Sequence, residues 1–413
     1  MIKVGKYTAA LVLVVVGTLL LVDLTTNREI TGELINWWPA VIIMLGVEYL
    51  LISSIYRGPD RKVGFAVGSL IISVVLSIAV IAYTSFPNFN FPTSFDFGNM
   101  GFTDKSGKSY DKGTTFIPLK DKHNKLSILN PNGDIEIKAG DVDEVQIVTT
   151  LYVSKLKNDE ADAIAEASSV EFIESGSSIE IEAKGKEYRI FGIKQKPRMD
   201  MIITVPLGNE VDYDIDMTNG KLVASDISVK DNFVVETTNG GITIREIQGE
   251  IIAYTTNGAV LVENIQGNVE LDTTNGTITA NDVDGDMLAD TTNGKIIATR
   301  ISGDVEADTT NGAIRLTDVY EDVLADTTNG GITVRSASLG GDWELDTTNG
   351  RIEIYLPELA NFEVDGNAAS YKTIQSDFSL NISKGEVSGS IGTGEHKITI
   401  DTNSELGIYK IDN

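Results

Sequence analysis

The sequence predicts an all-β fold: a parallel β-solenoid with coils of about 18 residues, preceded by three transmembrane α-helices. Three observations carry this. The tripeptide Thr-Asn-Gly occurs eight times, with asparagines at 219, 239, 257, 275, 293, 311, 329 and 349, most often 18 residues apart. Apolar residues alternate with polar ones on either side of each repeat, the period of a strand and not of a helix. Ahead of the repeats lie three apolar stretches, residues 7–22, 37–56 and 63–83.

Each apolar stretch approaches or meets the roughly 17–25 residues that span a bilayer. The first is marginal, and a secretory signal peptide competes with it, but no small-residue cleavage site follows. Flanking charge orients the spans. Lys3 and Lys6 precede the first, the first loop carries Asp23, Arg28, Glu29 and Glu33, and the second carries Arg57, Asp60, Arg61 and Lys62. Positive loops face the cytoplasm, so everything after Tyr83 is expected outside, in a multi-pass cell-membrane protein with an extracytoplasmic C-terminal domain. Glu48 falls mid-span, where an ionisable group is costly and marks a partner contact. Ser69, Ser73 and Ser77 share one face of the third span, and the expectation is that Glu48 packs against them or against another membrane protein.

Residues 87–125 read as a linker, with Phe89, Phe91, Phe95, Phe97 and Phe102 set among Asn, Pro, Gly and Ser. From residue 126 onward the pattern is strand-like: LSIL, DIEI, VQIVTTLYV, SIEIEA and MDMIITV, with a short helix around residues 159–168. The expected division is therefore 1–86 for the membrane region, 87–125 for the linker and 126–413 for an extracytoplasmic solenoid. Its core repeats occupy 216–356, with capping strands at both ends.

Within a coil, the third and fifth residues after each Asn are apolar, as in Ile242 with Ile244 and Val260 with Val262. The eighth, twelfth and fourteenth follow suit, as in Ile265, Val269 and Leu271. Asn-Gly is expected to supply a positive-φ corner, and Gly249, Gly267, Gly285 and Gly303 a second bend. Eighteen residues cannot bury a core alone, whereas coils stacked about 4.8 Å apart can, and eight of them span roughly 40 Å. The two 20-residue intervals fit as two-residue insertions at one corner, because Phe233 with Val235 and Trp343 with Leu345 restore the apolar phase.

The formal net charge is −27. Residues 1–86 hold six basic and five acidic residues, +1, which leaves −28 for the remainder. Such a field disfavours nucleic acid and favours cations or basic partners. There is no cysteine, so disulfides and thiolate metal sites are excluded. Stacking places the residue three before each Asn in one row: Asp216, Glu236, Tyr254, Asp272, Asp290, Asp308, Asp326 and Asp346. The acids from Asp272 through Asp290, Asp308, Asp326 to Asp346 are a candidate for weak calcium binding, although one carboxylate per coil falls short of the six to eight oxygens calcium prefers. The competing reading has each Asp accepting backbone N–H bonds at its corner. The Asn row is expected to form an amide ladder. Only two histidines occur, His123 and His396, both expected to be solvated, and no acid pair stands out from the repeats, so no catalytic site and no cofactor is expected.

Residues 126–413 resemble the bacterial domain of unknown function described as a candidate adhesin with β-strand repeats. The resemblance lies in VELDTTNGTITANDVDGDM, VEADTTNGAIRLTDV, MIITVPLGNEVDYDI and GSIGTGEHKITIDTNSELGIYKI. WWPAVIIMLGVEYLL, with its basic loop and following span, resembles the transmembrane region of Lia-type envelope-stress regulators of Gram-positive bacteria. The first resemblance implies a β-solenoid without an established activity, and the second a role in envelope stress. The expected function is a membrane-anchored, non-catalytic envelope protein whose solenoid binds or scaffolds. Expected partners are the lipid bilayer, a membrane protein such as a sensor kinase, and cell-wall components. The alternative is a surface adhesin or cation-binding scaffold.

Overall fold

The computed structural model describes residues 105, 107–154, 156–190, 193–369 and 374–411, together with residues 2–4, 63–65, Thr8, Leu11, Val15, Thr18, Met44, Val47 and Glu48. The chain divides into two compact units, Met1–Asp96 and Phe97–Asn413.

In the larger unit, alternation becomes a three-sided coil, and one coil illustrates all. On strand Val269–Thr273, Val269, Leu271 and Thr273 are buried while Asp272 is exposed. The chain turns at Asn275-Gly276, and strand Ile278–Asp284 buries Ile278, Ala280 and Val283. It turns again at Asp282 and at Gly285, then enters the next coil at Met287. Successive coils pair in parallel and in register, Val269 with Met287 and Ile278 with Ile296. Each coil contributes only a handful of apolar side chains, and stacking joins them into one continuous core.

The Thr-Asn-Gly corner is fixed by three contacts between coils. Each Asn Nδ2 donates to the Asn Oδ1 of the preceding coil, from Asn239 to Asn219 through to Asn349 to Asn329, at 2.9 to 3.0 Å. The expected amide ladder is therefore present and unbroken. The buried threonine hydroxyl donates to the glycine carbonyl one coil back, Thr273 to Gly258 at 2.9 Å and Thr309 to Gly294 at 3.1 Å. The third contact is the glycine itself. A Cβ on Gly294 would lie 1.6 Å from the Gly276 carbonyl oxygen, and one on Gly312 1.5 Å from that of Gly294. Here the expectation needs correction: from Gly240 to Gly350 the motif's glycines do not have positive φ. They are required because backbones pass too closely for any side chain.

The left-handed corner sits elsewhere, seven residues after each of the first six Asn, at Asp226, Glu246, Asn264, Asp282, Arg300 and Asp318, with φ between 52° and 56°. Asp and Asn tolerate this region, but Glu and Arg pay about 1–2 kcal/mol there. The conformation persists because it turns the following Ile or Val into the core. The first two-residue insertion falls at the glycine corner, between Ser228 and Asn232, and the second between Arg335 and Trp343, a stretch that spans the positions of both the left-handed and the glycine corner.

The array is longer than the motif count. Strands Lys125–Asn132 and Ile135–Gly140 pair in parallel with the Asn219 coil and form a coil of their own. Strands His396–Thr402 and Leu406–Lys410 do the same beyond the Asn349 coil. Eight coils plus one at each end make ten among the described residues. Between each end coil and its neighbour the chain makes an excursion that covers the exposed edge. At the N-terminal end, Val145–Val153 pairs antiparallel with both Lys108–Ile117 and Arg198–Pro206. Ser178–Lys184 extends the stack beside Lys125–Asn132, and helix Asn158–Glu166 buries Ala161 and Ala165. Lys108–Ile117 is thus a strand within the stretch expected as linker. At the C-terminal end, Phe362–Asn367 lies parallel to His396–Thr402 and antiparallel to Glu386–Ile391. Covered edges deny further strands a template.

The three transmembrane helices and the multi-pass membrane placement are corrected. Among the described residues no helix is long and apolar enough to cross a membrane. Val63–Phe65, the opening of the third expected span, is a strand in parallel register with Ile2–Val4. A β-branched residue and an aromatic around a glycine favour strand over helix. Thr8, Leu11, Val15 and Thr18 of the first stretch and Met44, Val47 and Glu48 of the second are described, all in helical conformation, whereas the other residues of the three stretches, with Ser69, Ser73 and Ser77, lie outside the described residues.

Close backbone approach makes a sharp prediction. Gly294→Ala destabilises the chain by about 3 kcal/mol or prevents folding, because a methyl group cannot share space with the Gly276 carbonyl. Gly241→Ala changes stability by less than about 0.5 kcal/mol, since the nearest atom to its Cβ is 3.4 Å away. Thermal unfolding of both variants checks this, and equal tolerance of the two would refute the stacking explanation.

Candidate binding face

The strands from Val269–Thr273 to Trp343–Thr347 present one outward face, which repetition turns into rows of like side chains. Register places Tyr254, Asp272, Asp290, Asp308, Asp326 and Asp346 opposite one another, and the row continues to Asp401 of the last coil. Asp272 through Asp346 are exposed. They sit on strands and not at corners, and among the described residues none accepts a backbone hydrogen bond.

The capping expected of them belongs to a second acidic row, which the sequence reading missed. At the glycine corner, Asp286, Asp304 and Asp322 each accept the backbone N–H of the next coil through Oδ1, at 3.0, 3.2 and 2.7 Å. Asn268 does this for Asp286 at 2.9 Å, and Asp342 for Lys397 at 2.7 Å. The signal was present, an Asp or Asn just after each corner glycine, but it carries no motif as exact as Thr-Asn-Gly.

Between the two acidic rows runs a third, again unread from sequence. Glu270, Leu288, Glu306, Leu324 and Glu344 stand opposite one another in successive coils, so acid and leucine alternate along the stack. Leu288 is 40% exposed and Leu324 43%. These residues and the corner acids line a shallow groove of about 600 Å³ that runs from Glu250 to Lys397. Like residues recur every second coil, about 9.6 Å apart at the strand spacing.

The acids repel one another. Partial burial, then the neighbouring carboxylates of Asp290 and Glu270, push the Asp272 carboxyl above its ordinary value. Burial and row neighbours likewise raise Asp308 and Asp346. Between Glu236 and Asp272 of the row, Tyr254 donates to the Glu270 carboxylate, and this bond pushes its hydroxyl up to about 12. Among the described residues no group of three or more His, Asp or Glu side chains is arranged to hold a metal ion.

The other expected site residues are scattered. Glu48 is buried, and its Oε2 accepts hydrogen bonds from Thr8 N at 2.8 Å and Thr8 Oγ1 at 2.6 Å. His123 is buried, which corrects the expectation of a solvated side chain. Its Nδ1 accepts the Lys120 N–H at 3.1 Å and its Nε2 lies 3.4 Å from Glu174 Oε2. His396 is half-buried at the start of the last coil.

The profile of the Toastrack DUF4097 family matches residues 123–405. No curated protein matches the chain. Solved structures similar to it include a candidate cell adhesion protein from Clostridium sporogenes, at 10% identity over 74% of this chain and 100% of that one, with a TM-score of 0.21. A candidate lipid binding protein from Parabacteroides distasonis shares 13% identity over 75% and 98%, with a TM-score of 0.34. A candidate adhesin from Bacteroides fragilis shares 14% over 74% and 99%, with a TM-score of 0.28. Likeness at this level carries no functional argument. The family match begins after the apolar stretches, and the resemblance of residues 37–51 to Lia-type regulators finds no support.

Raised carboxyl values in the row mean that the folded chain binds more protons than the unfolded one. The row's contribution to stability therefore falls as pH rises from the ordinary carboxylate range through the raised values. Asp308→Asn raises stability near pH 7 by about 0.5 kcal/mol after solvent screening, and the gain vanishes below about pH 4. Melting curves across that range check it, and a variant no more stable at neutral pH removes the repulsion. Sodium and calcium chloride at equal ionic strength raise the wild-type melting temperature equally if screening alone is needed. An increment specific to calcium would instead mark ions bridging the row.

Proposed function

Because the chain belongs to the Toastrack DUF4097 family, we propose that it is a non-catalytic binding scaffold of the bacterial cell envelope. Its acidic, leucine-studded face holds an extended cationic chain. The observation that carries this reading is the alternation of Glu270, Leu288, Glu306, Leu324 and Glu344 along one groove. A row of acids alone would suit any solvated surface, but leucines held open to water between them at every second coil call for an apolar partner as well.

The partner chemistry follows from the geometry. Sites of one kind recur about every 9.6 Å at the strand spacing, close to three residues of an extended or polyproline chain at about 3.1–3.3 Å each. A peptide with a basic residue at every third position and apolar residues between would place cations on the glutamates and side chains on the leucines. Charge complementarity would speed encounter and set register more than it would set affinity. A scaffold of this kind serves adhesion when the partner belongs to another cell or to the wall. It serves envelope-stress sensing when occupancy is passed to a second protein.

Absence of catalysis is part of the proposal, supported by the sameness of the coils. Each kind of acid on the face recurs at every coil or every second coil, and chemistry on a repeat scaffold calls for an irregular constellation.

The test is titration of a labelled Lys-Leu-Leu repeat peptide with the full-length chain. Binding is expected to weaken about ten-fold when Glu306→Lys and Glu344→Lys are combined, and about as much again on passing from about 0.05 to about 0.5 M salt. Equal binding by the double variant, or equal affinity for a Glu-Leu-Leu repeat, would overturn the reading. Turnover of wall polysaccharide by the purified chain would overturn its non-catalytic part.

A further inference from the structure

A second cleft lies where the Asn ladder begins, and its chemistry is the reverse of the acidic face. It encloses about 220 Å³, seven waters' share of liquid volume. Tyr152, Tyr188, Lys194, Lys196, Arg198 and Asn219 contribute to its walls, and no acidic residue does. In a chain of net charge −27 this is an unusual place.

The cations there are not fully used. Arg198 is 4% exposed; its Nη2 lies 2.5 Å from Asp134 Oδ1 and its Nε makes an ion contact of 2.7 Å with Asp200 Oδ1. Lys105 shares both carboxylates, at 3.2 and 2.8 Å. Two acids are thus already balanced by two bases, and the Arg198 Nη1 is buried without a hydrogen-bond partner. Lys194 pairs with Glu187 at 3.0 Å, whereas Lys196 is exposed and makes no ion pair among the described residues. A buried guanidinium with donors left over and an uncommitted lysine both call for an acceptor.

The ladder adds to this. All seven amide bonds run one way, each Nδ2 toward the preceding coil, so their dipoles align with the donor end at Asn219. Aligned hydrogen bonds polarise one another and strengthen the terminal donor, as peptide dipoles do at a helix N-terminus. Among the described residues the Asn219 Nδ2 donates to nothing. One acceptor is also vacant, since Asn132 Oδ1 is buried without a partner while its Nδ2 donates to the Lys196 carbonyl at 3.1 Å.

We propose that this cleft binds an acidic sugar unit. The carboxylate meets Lys196, Arg198 and the terminal amide of Asn219, a ring hydroxyl donates to Asn132 Oδ1, and the ring lies against Tyr152 and Tyr188. A carboxylate alone would leave the vacant acceptor unpaired, and a neutral sugar would leave the cations so. The site lies outside the acidic groove and takes the opposite charge, so it stands or falls apart from the cationic-chain reading.

D-glucuronate is the probe, titrated into the full-length chain and followed by calorimetry. Binding in the millimolar range is expected, with methyl glucoside and acetate each about ten-fold weaker, since each satisfies half of the site. Lys196→Glu, at an exposed position that leaves folding intact, weakens glucuronate about ten-fold or more while leaving the cationic peptide's affinity unchanged. Asn219→Asp keeps the acceptor for Asn239 but replaces the donor by a charge, and does likewise. No glucuronate binding by the wild type, unchanged binding by Lys196→Glu, or tighter binding of inorganic phosphate than of glucuronate would each overturn the proposal.

Discussion

Everything in the larger unit depends on the distance between adjacent coils. At the strand spacing of about 4.8 Å, parallel ladders close, amide side chains reach one another, and threonine hydroxyls reach the carbonyl one coil back. At the same distance the glycine backbones of the Thr-Asn-Gly corner come into contact, which admits no side chain. One spacing therefore both rewards and restricts the sequence. It explains why the most invariant part of the repeat is a corner, whereas the apolar positions exchange Ile, Val, Leu, Met and Ala freely. A core position needs volume of about the right size, and a stacked corner needs one particular shape.

The same spacing organises charge. Any residue type held at one position in successive coils becomes a row, and at Asp272, Asp308 and Asp346 partial burial first, and the neighbouring acids second, raise the affinity for protons. Two devices keep the cost moderate. Asp286, Asp304 and Asp322 spend one oxygen on a backbone N–H of the next coil, and Asp282 takes the Arg300 guanidinium through both oxygens, at 2.5 and 2.7 Å. The Asp272 row has neither device and remains open to solvent, the condition in which a surface keeps charge available for a partner. Separation of the acidic groove from the basic cleft gives one chain two kinds of surface without mutual neutralisation.

The solenoid was legible because a tripeptide recurred without variation and because its flanks alternated. The end coils were not, since the first turns on Asn130, Pro131, Asn132 and Gly133 and the last on Asp401, Thr402, Asn403 and Ser404, each separated from the array by an excursion. A motif count stops where the motif frays, while register does not. The left-handed corner was missed for a different reason. Its occupants, Asp, Glu, Asn and Arg, carry no common signal, and the glycines nearby drew the assignment through a local rule although their role is a contact between coils. Membrane spans were inferred from hydropathy, flanking charge and a short resemblance, and the strand at Val63–Phe65 marks where that inference failed. The groove needed register to be seen: glutamate and leucine 18 residues apart look unremarkable until they become neighbours.

Alternation of Glu270, Leu288, Glu306 and Leu324 has a consequence for how such a chain can change in length. Folding repeats with every coil, but the surface repeats with every second one. Duplication of a single coil by unequal exchange of its coding segment would be silent to the core and would shift every site beyond it out of phase. Duplication of a pair would lengthen both together. Selection acting on the surface would then leave a genetic unit of two coils, twice the unit that stability alone would preserve.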